Sequence, residues 1–161
     1  MKMIIIREVL EKDNADLASV IRQVLVEIGV PKVGTAYADP ELDYMHKTYL
    51  KDRAAYFVLE ENGTLHGGAG IAPLQGGDPT VCELQKMYFL PEARGKTLGE
   101  KMIDHCLSYA KEQHFKTCYL ETLPYMKAAQ KLYLKKGFEY IDGPMGSTGH
   151  TSCNVWLTKK L

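Results

Sequence analysis

Val81-Cys82-Glu83-Leu84-Gln85-Lys86-Met87-Tyr88-Phe89-Leu90-Pro91-Glu92-Ala93-Arg94-Gly95-Lys96-Thr97-Leu98-Gly99 reads as a strand, a tight basic turn and the opening of a helix. Val81, Tyr88 and Phe89 favour extended backbone, and Pro91 cannot continue a central ladder. From Leu98 the apolar positions recur at Met102, Ile103, Cys106, Leu107 and Ala110, the spacing of one buried helical face. The turn between them carries two cations and two glycines at a helix N-terminus. Free N–H groups and the positive dipole end face outward there, so Arg94 to Gly99 forms an anion cradle suited to phosphate. A Walker A loop would need glycine five residues before Gly95, where Leu90 stands, and a dinucleotide fingerprint would need G-x-G-x-x-G after the first strand of a βαβ unit.

At 161 residues a single domain over 1–161 is expected, burying roughly 70% of its unfolded surface. Lys+Arg and Asp+Glu balance at 20 each, leaving no broad field for nucleic acid or an anionic membrane. Cys82, Cys106, Cys118 and Cys153 show no C-x-x-C spacing and read as free thiols of a reducing compartment. Met3-Ile4-Ile5-Ile6 is too short for a signal-peptide core and no run reaches membrane-spanning length, so a cytoplasmic protein is expected. No His pairs with another metal ligand at a suitable spacing, and no metal is expected.

Outward from the organising stretch the chain reads β-α-α-β-β-β-α-β-α-β-β. Met3 to Val9 is a strand; Asp13 caps a helix with Leu17, Ile21, Val24, Leu25 and Ile28 on one face, ended by Gly29. Asp39-Pro40 opens a second helix with Leu42, Met45 and Tyr49 on one face. Ala54–Leu59 and Leu65–Pro73 pair across Asn62-Gly63, a hairpin signal. Gly67-Gly68-Ala69-Gly70 has no helix after it and reads as strand backbone packed closely against something. Thr117–Thr122 is a strand, Met126–Lys136 a helix capped by Gly137, and Phe138–Ile141 and Cys153–Thr158 closing strands. In the central strand the apolar side changes between Leu84 and Met87, which predicts a bulge near Gln85-Lys86.

The stretch resembles motif A of the GNAT superfamily of N-acetyltransferases, whose Gln/Arg-x-x-Gly-x-Gly/Ala pattern falls on Arg94, Thr97 and Gly99. Ala129, Leu132, Tyr133, Gly137 and Phe138 resemble that family's A-x-x-L-Y-x-x-x-G-F stretch. Two positions depart from it: Thr97 stands where glycine is usual, and Met126 where many members carry asparagine. The likeness implies an α/β fold with a central mixed, mostly antiparallel sheet of six to seven strands and four helices, splayed at the fourth and fifth strands.

It further implies acetyl-CoA as cosubstrate. Arg94, Gly95, Lys96, Thr97, Leu98 and Gly99 would hold its pyrophosphate, Met87 and Phe89 its pantetheine arm, and Ala129 would line the same cleft. Tyr133 matches the general acid that protonates the leaving sulfur, and Glu83 the general base of some members. The loops between the first two helices and between the last two strands would wall the acceptor pocket, bringing Tyr37, Asp39, Tyr44, Ser147, Thr148 and His150, of which Tyr37 and His150 are the substrate-binding candidates. With no acidic or basic tract for macromolecular docking, the expected acceptor is a small-molecule amine, an amino acid or polyamine-like compound. A protein amine as acceptor, a non-catalytic acyl-CoA sensor and a homodimer remain open from sequence.

Overall fold

In the computed structural model, which describes residues 3–95 and 97–161, the expected element order is observed. The elements are β1 (Ile4–Glu8), α1 (Asn14–Glu27), α2 (Met45–Thr48), β2 (Ala55–Glu61), β3 (Thr64–Pro73), β4 (Val81–Phe89), α3 (Leu98–Glu112), β5 (Thr117–Thr122), α4 (Lys127–Lys135), β6 (Glu139–Ile141) and β7 (Val155–Lys160). The strands form one sheet in the order β1-β2-β3-β4-β5-β7-β6. Among the described residues only β4 and β5 run parallel, and α3 connects them.

Alternation along the strands sorts the core into two layers. Phe57 and Leu59 face α3 and α4, joining Met102, Ile103, Cys106, Leu107 and Tyr133. Tyr56 and Val58 face α1 and α2, joining Leu17, Ile21, Leu25, Leu42 and Met45. Cys82, Cys106 and Cys118 are buried free thiols; Cys153 is half-buried.

The second helix differs from its expected form. Pro40–Tyr44 is a 3-10 turn, and only Met45–Thr48 is α-helical. The His46 amide donates to the Asn14 side chain of α1 instead of to the preceding turn, so the helix starts afresh there. Nor does the Asp39 carboxylate cap it. The first helix departs similarly: Asp13 stands at its N-cap position, but its carboxylate binds Arg7 and the Leu10 amide.

The glycines of β3 explain the approach of two tyrosines. A Cβ on Gly68 would lie 2.5 Å from both Phe57 O and Tyr56 Cε1, and one on Gly70 2.7 Å from Tyr56 Cδ2 and 2.9 Å from Tyr49 Cε1. Bare backbone at these positions lets Tyr49 and Tyr56 lie across β3 toward β4. No helix among the described residues is long and apolar enough to cross a membrane.

Candidate active site

β4 and β5 pair only at Val81–Thr117, Cys82–Cys118 and Glu83–Tyr119. Beyond Glu83 they part, while β4 stays on β3 and β5 on β7. The predicted bulge lies at this point: Gly70 pairs with Gln85 but Gly68 with Tyr88, so Lys86 and Met87 together oppose Ala69. Lys86 takes a φ of 50°, a conformation that costs a non-glycine residue energy. One extra residue turns Leu84 and Met87 to the same side of the sheet, and both pack on the α3/α4 core.

Into the parting opens a cleft of about 630 Å³, lined by Met87, Tyr88 and Phe89 of β4, by the basic turn, and by Met126, Ala129, Leu132 and Tyr133 around α4. Its outer end is the turn that opens α3, the expected anion cradle. Arg94, Gly95, Thr97 and Gly99 line it, whereas the Leu98 side chain is buried in the core and Lys96 lies outside the described residues. The Arg94 guanidinium is engaged within the protein, donating to Phe89 O at 2.9 Å and pairing with Glu27 of α1 at 2.6 Å. Thr97 sits at a φ of 61° at the N-cap of α3, where glycine would adopt the left-handed conformation without strain. Gly99 makes room for a side chain: a Cβ there would come within 2.9 Å of Leu132 Cδ2.

The inner end is a chain of small cavities, each about 40 Å³. One shares Met87, Tyr88, Met126 and Tyr133 with the large cleft. The next is lined by Glu83, Gln85, Lys86, Tyr88, Glu121, His150 and Cys153. Glu83, only 6% exposed, has its carboxyl raised to about 7, chiefly by burial; the Gln85 hydrogen bond lowers it, Glu121 raises it, and Lys86 and His150 lower it. Tyr133, packed edge-on to Phe138, has its phenol raised by burial and so stays protonated at neutral pH.

His150 is drawn into this site. Its Nε2 lies 2.7 Å from Asp39 Oδ2 and its Nδ1 3.9 Å from Glu121 Oε1. The Asp39 hydrogen bond raises its pKa against the opposing effect of burial. Tyr37 is not brought in: among the described residues it lines none of these cavities, packing instead beside the α1/α2 core with the Lys32 ammonium 5.2 Å from its ring centroid.

Sequence reasoning missed Glu121, Lys86, Gln85 and Glu27. Glu121 was within reach, since its strand neighbours Leu120 and Thr122 are buried and it alternates with them. Lys86 carried no such signal: its side chain is 6% exposed, with Nζ 3.7 Å from Asp39 and 4.0 Å from Glu41, because the bulge turns it inward. Glu27 meets Arg94 only through the tertiary fold.

The fold agrees with comparisons to known proteins. The model of the acetyltransferase (GNAT) family matches residues 22–138. The chain is 45% identical to the uncharacterized N-acetyltransferase YjgM of Escherichia coli (strain K12), over 98% of this chain and 95% of that protein. In fold it is similar to a GNAT-family acetyltransferase from Staphylococcus aureus Mu50, with a TM-score of 0.88, 23% identity and 99% of both chains covered. It is also similar to the PaiA N-acetyltransferase of Thermoplasma acidophilum, solved with coenzyme A, with a TM-score of 0.72, 18% identity and 99% of both chains covered. The chain belongs to the GNAT acetyltransferase family.

Proposed function

We propose that this enzyme moves acetyl from acetyl-CoA directly to the primary amine of a small molecule. The observation that carries the reading is the continuity of the site: a cleft with a cationic turn at one end meets, at Met87, Tyr88 and Tyr133, a small cavity that leads on to one where Glu83 and Glu121 stand with Lys86 and His150. An anionic cofactor fits the first end, and an ammonium the second.

Acetyl-CoA supplies an acetyl group activated as a thioester. Arg94 and the free amides opening α3 would hold its phosphates, with Met87 and Phe89 along the arm and Ala129 beside it. Backbone amides of β4, released from β5 beyond Glu83, are available to stabilise charge on the carbonyl oxygen. Glu83, with a carboxyl near 7, takes the proton that the acceptor ammonium must lose before its nitrogen forms the C–N bond. Tyr133, protonated at neutral pH, gives its proton to the sulfur as the C–S bond breaks.

A small acceptor is favoured by the closure over the inner cavity. Ser152 N donates to Gly34 O and Ser152 Oγ to Val33 O, both at 3.0 Å, and His150 meets Asp39. The two walling loops are thus tied together above Glu83. A protein segment would have to part all three contacts. Release of free CoA thiol from acetyl-CoA across a panel of small primary amines tests the reading; turnover is expected, and a thiol yield no higher than without amine for every acceptor would overturn it.

A further inference from the structure

Glu83 is held by a hydrogen-bonded chain that reaches β4 on the α1/α2 side of the sheet. Gln85 Nε2 donates to Glu83 Oε1 at 2.7 Å, and Gln85 Oε1 accepts from the Tyr49 hydroxyl at 2.6 Å. Tyr49 follows α2, is 5% exposed, and reaches β4 across the bare backbone of Gly70. Its ring packs on Tyr56 at 5.3 Å, and the Tyr56 hydroxyl in turn donates to Lys86 O at 2.8 Å. Two neighbouring tyrosines therefore grip β4 at different points, one at the base candidate and one at the bulge.

A primary amide can present either its oxygen or its NH2 group to a neighbour. The Tyr49 O–H occupies the amide oxygen, so the NH2 group faces Glu83, the orientation that a carboxylate accepts and that favours its charged form. Burial keeps Tyr49 protonated and hence a donor at every working pH. We propose that Tyr49 and Gln85 are positioning residues: Tyr49 fixes the Gln85 amide, and Gln85 holds the Glu83 carboxylate in the orientation and charge state that receives the acceptor's proton. This rests on Glu83 acting as the base.

Other groups face Glu83 as well. Glu121 from β5 opposes its ionisation, while Lys86 of β4 and His150 from the β6–β7 connection favour it. Tyr119 and Cys118 of β5 and Cys153 lie near and are kept neutral by burial or hydrogen bonding. Gln85 is the side chain that donates a hydrogen bond to Glu83 among the described residues.

The test is the pH dependence of kcat/KM together with a carboxyl-carbon NMR titration of Glu83, assigned by its loss in Glu83→Gln. Gln85→Met keeps the length without the amide and is expected to move both midpoints upward by about one pH unit. Tyr49→Phe should move them the same way by less. Because Tyr49 acts through Gln85, the double variant should shift no further than Gln85→Met alone. Tyr56→Phe, equally buried but bonded to the bulge carbonyl, should leave the midpoint in place. An unmoved Glu83 titration in Gln85→Met, or additive shifts in the double variant, would overturn the relay. A Glu83 titration that moves while the rate limb does not would uphold the relay and remove the base role instead.

Discussion

As the proposed base, Glu83 meets two requirements that oppose each other. A base must be ionised to act, yet burial favours the neutral form, and the compromise is a carboxyl near 7 against an ordinary value of 4.5. Folded Glu83 holds its proton more tightly than the unfolded chain does, so its own contribution to stability is full below about pH 4.5 and declines as pH rises through 7, by about 3 kcal/mol. His150, raised by Asp39, acts with the same sign: its pairing contributes below its ordinary 6.5 and is lost as pH rises through its folded value. Urea unfolding of Glu83→Gln should therefore match the native protein at pH 4 and exceed its stability at pH 8, with the remaining slope between pH 6 and 8 due to His150. Equal stability at pH 8 would mean that Glu83 ionises without penalty. Tyr133, as the proposed acid, faces a simpler demand. Tyr133→Phe keeps the ring against Phe138 and removes only the hydroxyl, so kcat for CoA release should fall about a hundredfold or more with little change in melting temperature. Undiminished turnover would end its role as the acid.

At the scale of elements, the turn before α3 carries an internal competitor. Glu27, from the end of α1, occupies the guanidinium that an incoming phosphate would need. Exposed pairs contribute up to about 1 kcal/mol, so Glu27→Gln should tighten acetyl-CoA binding by up to about fivefold in calorimetry. Arg94→Ala should weaken it by about tenfold. An unchanged dissociation constant in both variants would remove Arg94 from the cofactor site. These elements also show what a sequence can reveal. The bulge was legible because Leu84 and Met87 break a period of two, and α3 because its apolar face repeats without interruption. The second helix was misread because one side-chain contact, from Asn14 to the His46 amide, overrides local propensity. Asp39 was read as a cap because caps are local. Its actual partner, His150, is 111 residues away, and only the tertiary fold introduces them. The same holds for Gln85 and Tyr49, 36 residues apart.

The whole molecule is two half-sheets sharing a short seam. β1 to β4 form one half and β5, β7 and β6 the other, joined directly at the three pairs that end with Glu83 and Tyr119. The cleft lies in the fork above that seam, so a ligand touching both β4 and α4 adds a second joint between the halves. Saturation at roughly a hundred times the dissociation constant contributes about 2.7 kcal/mol by linkage, which for a domain of this size raises the melting temperature by about 5 to 10 °C. Adenosine diphosphate offers phosphates without the pantetheine arm, and should occupy the cradle without closing the fork. Hydrogen exchange separates the two situations. Acetyl-CoA should slow exchange at the β4 amides beyond Glu83 and along α4, whereas adenosine diphosphate should protect only the opening of α3. Equal protection by both ligands would mean that the arm does not enter the fork, and that the halves are held by the seam alone.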